Sequence, residues 1–170
     1  TRITNPLNQS TTTVYDAAGR TENTINPLGF VTSYSYDAVN RRTEVTNPEG
    51  ETSTTVYDDA GRTINTINPL GFVTTMAYDM VDRQISVTNP EGETTTTVFD
   101  DAGRAIVQIN PLTLRVTTTY DRADRPISVL NAELERSTTV YDDAGRTINT
   151  INPLGFVTTT AYDDPNRPIA

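Results

Sequence analysis

The chain has 170 residues, of which only 35% are hydrophobic and 7% aromatic, so it is long enough for one domain but any core must be thin. Its net charge of −9 at pH 7, with Arg as the only cationic side chain, argues against nucleic-acid binding, which depends on Lys and Arg contacts to phosphates. The absence of His and Cys excludes Ser–His and Cys–His catalysis, His–metal sites and disulfides. No apolar run is long enough to cross a membrane, so we expect no membrane insertion.

A 21-residue repeat runs along the whole chain without insertion or deletion. Each copy has an aromatic residue followed by Asp, an Arg five positions after the aromatic, and an Asn-Pro step whose one lapse is Asn131-Ala132. The aromatic residues are Tyr15, Tyr36, Tyr57, Tyr78, Phe99, Tyr120, Tyr141 and Tyr162; the arginines are Arg20, Arg41, Arg62, Arg83, Arg104, Arg125, Arg146 and Arg167. We interpret residues 1–170 as one array of eight repeats, and we expect a segment of a longer array because the sequence begins and ends within a unit.

Two turns are predicted in each repeat. The first is Tyr-Asp-x-x-Gly-Arg, in which the Asp carboxylate is expected to accept a backbone N–H two residues on and to face the Arg across the turn. The residue before the Arg should have positive φ, because Gly, Asn and Asp tolerate that conformation best. These residues are Gly19, Gly61, Gly103, Gly145, Asn40, Asp82, Asp124 and Asn166. The second turn is Asn-Pro-x-Gly, with Pro preset at its second position, and we predict a four-residue loop there.

About six residues rich in Thr, Val, Ile and Tyr separate the turns, which is a typical strand length and composition. The fold class predicted is therefore all-β, with tandem 21-residue β-hairpin repeats in a continuous antiparallel sheet of 16 short strands and almost no helix. A β-solenoid with one coil per repeat is the alternative. It would place eight Asp side chains in one column and eight Arg side chains in another, and like charges directly opposite each other destabilise a sheet, so the hairpin arrangement is favoured.

Side chains alternate between the two faces of a strand, and the even loop keeps successive repeats in the same register. One face then carries aromatic and polar side chains, among them Tyr15, Phe30, Tyr34, Tyr36, Tyr57, Phe72, Met76 and Tyr78. The other carries Val14, Val31, Val45, Val56, Ile64, Val73, Ile85, Val87, Val98, Ile106, Ile127, Val129, Val140, Ile148 and Val157, and we expect it to be buried. Because open twisted sheets rarely exceed about ten strands, we expect the sheet to be curled or spiralled into a tube or shell.

The recurring Tyr-Asp-x-x-Gly-Arg motif, with Tyr34-x-Tyr36-Asp37 in one copy, resembles the YD or RHS repeat family over essentially the whole chain. The resemblance implies a curled sheet of β-hairpins, like the shells of toxin-complex cocoons, the barrel of teneurins and wall-associated bacterial proteins. The chain departs from the family pattern at Thr55, Met76 and Thr160, where a first Tyr is absent, and at Thr21 and Thr63, which follow an Arg. We recognise no C-terminal core motif and no toxin domain, so the resemblance implies the wall and not the cargo.

The acidic residues recur with the repeat, as at Asp58-Asp59, whereas an active site is normally singular. We interpret them as turn caps rather than paired catalytic carboxylates. Ca²⁺ binding at these turns is a weaker alternative, because the usual alternating acidic loop is missing. The aromatic row is interpreted as packing rather than as a platform for sugars. We therefore predict no catalytic, cofactor-binding or metal-binding residue, and no cofactor.

The function predicted is that of a structural protein, not an enzyme, which forms the wall of an extracellular shell, tube or fibre. Its partners are expected to be further copies or further stretches of the same array, joined through sheet edges, with glycans on the Thr-rich strands or as ligands, and with no nucleic acid. The localisation predicted is extracellular or at the cell surface. The alternatives are an adhesion or glycan-binding module and a segment of a toxin-encapsulating cocoon.

Overall fold

The strands are short and follow the repeat, because each turn sequence ends one strand and the Thr- and Val-rich stretch after it starts the next. A computed structural model describes residues 1–164 and 167–169 and contains no helix among them. Its strands are β1 (Arg2–Thr4), β2 (Ser10–Tyr15), β3 (Thr21–Ile25), β4 (Val31–Tyr36), β5 (Arg42–Thr46), β6 (Thr52–Tyr57), β7 (Thr63–Ile67), β8 (Val73–Tyr78), β9 (Gln84–Thr88), β10 (Thr94–Phe99), β11 (Ala105–Ile109), β12 (Arg115–Tyr120), β13 (Pro126–Leu130), β14 (Arg136–Tyr141), β15 (Thr147–Ile151), β16 (Val157–Thr159), β17 (Ala161–Tyr162) and β18 (Pro168–Ile169).

Strands β1–β16 follow chain order in one antiparallel sheet, and β17 and β18 pair as a separate hairpin. This confirms the sheet of consecutive hairpins and excludes the solenoid. The prediction of 16 strands was wrong, because β16 stops at Thr159 and β17 starts at Ala161. Thr160 lies in neither strand, although its N–H still donates to the carbonyl of Ile148 at 2.9 Å.

By contact density the chain forms two compact units, one of residues 1–82 and 87–92 and the other of residues 83–86 and from 93 onward. The first unit contains the hairpins from β1 to β8, with pairing registers that repeat every 21 residues. The second contains the hairpins from β10 onward, and its registers follow the same rule.

Both turns have the same length, so the predicted four-residue loop in the second turn was wrong. In the first turn the N–H of Asp16 donates to the carbonyl of Arg20, and in the second the N–H of Asn26 donates to the carbonyl of Phe30. We call the first kind the Asp turn and the second the Asn turn. The odd repeat length is corrected by a β-bulge next to the Asp turn, where Val14 pairs with Asn23 and Tyr15 with Thr21, leaving Glu22 as the extra residue.

This register changes the predicted faces. Residues directly opposite each other in an antiparallel pair share a face. Val45 pairs with Tyr34 and Val129 with Thr118, so these two valines lie on the aromatic and Thr-rich face, not on the aliphatic one. Ile25, which pairs with Val31, joins the aliphatic face instead. We call the face that contains Val14, Ile25 and Val31 the aliphatic face.

The expectation that the Val and Ile side chains are buried was also wrong for this chain. Within the described residues Val107, 4% exposed, is the one buried hydrophobic side chain, and no polar residue is buried. Val14 and Val31 on the aliphatic face are 36% and 39% exposed. A sheet of one layer has no second layer to pack against, so its strands are held by ladder hydrogen bonds and by side-chain contacts along the sheet.

Candidate functional site

The Asp turn is a closed network of backbone hydrogen bonds around one carboxylate. Asp16 Oδ1 accepts the N–H groups of Ala18 and Arg20, each at 2.9 Å. The N–H of Gly19 donates to the carbonyl of Asp16 at 3.0 Å. Asp is suited to this position because its short side chain reaches the N–H groups two and four residues on. The predicted role of the Asp as a turn cap is therefore confirmed.

The Arg of this turn connects one repeat to the next. Arg20 Nε lies 2.7 Å from Asp16 Oδ2, which confirms the predicted pair across the turn. The guanidinium carbon then lies 4.8 Å from the centre of the Tyr36 ring, and Nη1 donates to the carbonyl of Asp37 at 3.2 Å. The Tyr36 hydroxyl donates back to the carbonyl of Thr21 at 2.8 Å. Each Arg thus combines an ion pair, a cation–π contact and a hydrogen bond to the following repeat.

These contacts recur at successive Asp turns within each unit, and we call the set the Tyr–Asp–Arg ladder. The distances from the guanidinium carbon to the ring centre lie between 4.6 and 5.1 Å for Arg41–Tyr57, Arg62–Tyr78, Arg83–Phe99, Arg104–Tyr120, Arg125–Tyr141 and Arg146–Tyr162. Sequence reasoning found the Asp–Arg pair but missed the contacts that reach the next repeat. The spacing of 16 residues from each Arg to the next aromatic was the available signal.

Alternate steps of the ladder differ at the fourth residue of the turn. Arg20, Arg62 and Arg104 each donate through Nη1 at 2.8 Å to the side-chain oxygen of Asn40, Asp82 and Asp124, respectively. Arg41 meets Gly61 instead, which offers no side chain. The 42-residue period seen in the sequence therefore corresponds to an alternation between arginines with and without this extra acceptor.

The predicted positive φ values are confirmed at all four Gly positions, from 80° at Gly19 to 88° at Gly61. They are also confirmed at Asn40, Asp82 and Asp124, whereas Asn166 lies outside the described residues. The prediction missed three non-Gly residues with positive φ in the Asn turns, Asn8, Thr113 and Leu134. Thr113 and Leu134 occupy the position that Gly holds in most copies, so an Asn turn forms even where the sequence does not favour its backbone.

The turn carboxylates are held in their charged form. The backbone N–H of Arg20 and then its guanidinium lower the pKa of Asp16 below its ordinary value. Asp58, Asp121 and Asp142 have lowered pKa values with the same leading cause, a backbone N–H of the turn. For Asp100 the larger cause is the Arg104 side chain. Such a network stabilises the fold and leaves these carboxylates engaged.

The Asn turn satisfies its own backbone and leaves its apolar side chains exposed. Asn26 Oδ1 accepts the N–H groups of Leu28 and Phe30 at 2.9 and 3.0 Å. The Leu28 side chain is 79% exposed. In the alternate copies Glu replaces Leu and Phe, and Asn47 Nδ2 donates to Glu51 Oε2 at 2.7 Å. This edge of the sheet thus alternates apolar and acidic turns.

No reactive or metal-binding constellation is formed by residues 1–164 and 167–169. Asp58 binds Arg62, and no group of three or more carboxylates in that part of the chain could hold a metal ion. The rings of the ladder each carry a guanidinium over them, so the aromatic row serves as packing between repeats. Among the residues described, no helix is long and apolar enough to span a bilayer.

The fold and the ladder define a class of protein, the tandem β-hairpin repeat array. Residues 15–52 and 57–94 match the family model of the RHS repeat. These two segments are therefore RHS repeats, and the motif that they contain continues through the remaining copies. No curated protein matched the sequence.

Solved structures share the fold over nearly the whole chain. One is the Tc holotoxin pore of Photorhabdus luminescens, with a TM-score of 0.66 and 16% identity, and another is the TcdB2-TccC3-Cdc42 crystal structure, with the same TM-score and identity. A crystal structure of TcdB2-TccC3-TEV has a TM-score of 0.54 and 13% identity. Each alignment covers 95% of this chain but only 10% or 11% of the other, so the chain spans about a tenth of the length of these proteins.

Proposed function

We propose that residues 1–170 act as one repeat array that forms part of a structural wall. The observation that carries this proposal is the contrast between burial and connection. One side chain among the described residues is buried in a hydrophobic environment, yet every described Asp turn from Asp16 to Asp142 has its Arg bound to the turn Asp or over the next ring. Such a chain is held together along the array rather than around a core, as in proteins whose repeats contact only their neighbours.

The half-exposed aliphatic face supports a curled arrangement. Its Val and Ile side chains gain from being turned away from water, and a sheet this wide has a preference for curling. The RHS repeats and the fold shared with Tc holotoxin structures support a shell or tube as the form of this wall. We propose an extracellular or cell-surface location and a structural role without catalysis.

Enclosure of a cargo is the second form of this function. It is favoured by the printed description of the first neighbour as a holotoxin, and it would use the same wall. A sugar-binding role is disfavoured, because the ring faces that a sugar would stack on are covered by arginines.

The wall proposal predicts that sheet edges join. Strand β1 ends the sheet order, and its Ile3 is 70% exposed. We expect the chain to form tubes, fibres or curved sheets in electron micrographs and to sediment as larger species as its concentration rises. Ile3→Lys should reduce this assembly, because a charged side chain on an edge strand opposes pairing with another sheet. Ile3→Thr is the matched control and should assemble normally. A wild-type chain that remains monomeric across the concentration series would contradict the proposal.

A further inference from the structure

Two arginines break the repeat on the aliphatic face. Eight of the 13 arginines belong to the Asp turns, which leaves five, and three of those five lie between residues 115 and 136. Arg115 and Arg136 occupy the first position of β12 and β14, a position at which other copies carry Val31, Thr52, Val73, Thr94 and Val157. The two cations therefore appear where the array otherwise places small uncharged side chains.

The register brings both arginines to one region of the second unit. Arg115 pairs with Ile109, and Arg136 pairs with Leu130, which also pairs with Thr117 of β12. Both side chains therefore lie on the aliphatic face. Their strands are separated only by β13, so their Cα atoms lie about 10–12 Å apart. Neither arginine forms an ion pair with a residue in the described part of the chain.

A groove with hydroxyl groups lies beside them. It has a volume of about 470 Å³ and is lined by Thr119, Ser128, Arg136, Thr138 and Val140. Arg136 Nη1 donates to Ser128 Oγ at 2.9 Å, which orients the guanidinium over the groove. The equivalent of Ser128 is a longer Asn at Asn23, Asn65 and Asn149 and a charged Glu at Glu44. The small side chain of Ser128 thus leaves space that these other copies fill.

We propose that this groove binds an acidic, extended peptide segment of a partner protein, with its carboxylates on Arg115 and Arg136. Guanidinium groups bind carboxylates through paired hydrogen bonds, which makes Arg suited to this recognition. An extended peptide presents alternate side chains on one side about 7 Å apart, a spacing that two flexible arginines about 10–12 Å apart can both reach. The hydroxyls of Ser128 and Thr138 lie between the arginines, where they can bond to the peptide backbone. A single small anion would engage only one arginine.

The test uses the intact chain and the peptide acetyl-Thr-Glu-Thr-Glu-Thr-amide, with binding followed by calorimetric titration at low ionic strength. The variants Arg115→Val and Arg136→Thr install the residues found in other copies, so their circular dichroism and melting curves should match the wild type. We expect each single variant to weaken peptide binding about tenfold, and the double variant to abolish it, because each removes one charge-assisted pair. The matched peptide with Gln in place of Glu should not bind.

A transplant makes the proposal sharper. In the double variant, Val31→Arg, Glu44→Ser and Thr52→Arg rebuild the three positions in the first unit, 84 residues earlier, and should restore binding of the same peptide. Failure to restore it would overturn the assignment of the site to these positions. The proposal is also overturned if the wild type does not bind the peptide, if the double variant binds it as well as the wild type, or if citrate binds as tightly as the peptide. In the first two cases the arginines serve only to keep the exposed face soluble.

Discussion

The Asp turn and the Asn turn have the same backbone and differ in what their fifth residue contacts. In both, the N–H of the first residue donates to the carbonyl of the fifth at 3.0 Å, as in Asp58–Arg62 and Asn68–Phe72. In both, the first side chain accepts the N–H of the fifth residue, at 2.9 Å in the Asp turn and 3.0 Å in the Asn turn. One local design therefore serves both ends of the strands.

The fifth residue separates them. Arg62 pairs with Asp58, lies 5.0 Å from the centre of the Tyr78 ring and donates to the carbonyl of Asp79, whereas Phe72 is half exposed. Turn geometry is thus set within five residues, but cohesion between repeats depends on the Asp-turn side of the sheet. The predictions below test that division.

The largest effect is expected from acid, which acts on all Asp turns at once. The folded-state pKa of Asp16, Asp58 and Asp100 lies below the ordinary value of 3.8, so the carboxylates contribute stability above pH 3.8 that is lost as pH falls through the folded pKa. We expect the melting temperature to be constant from pH 7 to about 5 and to fall steeply below about 4. Thermal melts followed by circular dichroism across this range measure it. Unchanged melting at pH 2.5 would mean that the ladder charges contribute little.

Removal of one ladder arginine is expected to have the next largest effect. Arg62→Ala removes the ion pair with Asp58, the stacking on Tyr78 and the contact with Asp82. It should lower the melting temperature more than Arg41→Ala, because Arg41 has Gly61 where Arg62 has Asp82. Phe72→Ala, at the equivalent position of the Asn turn, is the matched control and should cost least. Equal losses for Arg62→Ala and Phe72→Ala would erase the difference between the two turns.

The backbone of the Asp turn can be tested at Gly61, whose φ is 88°. Gly61→Val should cost about 2 kcal/mol of unfolding free energy, because a β-branched residue is strained at positive φ. Thr63→Val, in β7, should change stability by less than about 0.5 kcal/mol. Denaturant titrations of the two variants measure both. Gly61→Asn should be nearly neutral, since Asn tolerates this conformation and places an acceptor near Arg41, as Asn40 does for Arg20.

The smallest effect is a gain in the Asn turn. Leu134 has a φ of 64° and is 78% exposed, so its side chain gains little from its position. Leu134→Gly should raise the free energy of unfolding by about 1 kcal/mol, because it removes backbone strain. Leu154 is equally exposed but has no positive φ, and Leu154→Gly should be neutral or destabilising. A loss of stability in Leu134→Gly would show that this turn carries no strain.

The amino-acid sequence by itself determined the repeat, the hairpins and the Asp turn. These depend on contacts within five residues, and the alternation of Gly with Asn and Asp at one position reports a backbone conformation directly, as at Gly61 and Asp82. The pairing of Asp16 with Arg20 was equally predictable, because both residues belong to one turn.

Three features were decided only by the tertiary structure. The bulge at Glu22 fixes which face each valine occupies, and no local pattern distinguishes a bulge from an even loop of the same parity. The exposure of Val14 and Val31 depends on whether anything covers the sheet, which strand sequences do not encode. The reach of Arg20 to Tyr36 and Asp37 depends on strand pairing, since residues 16 positions apart become neighbours only after β3 and β4 have paired.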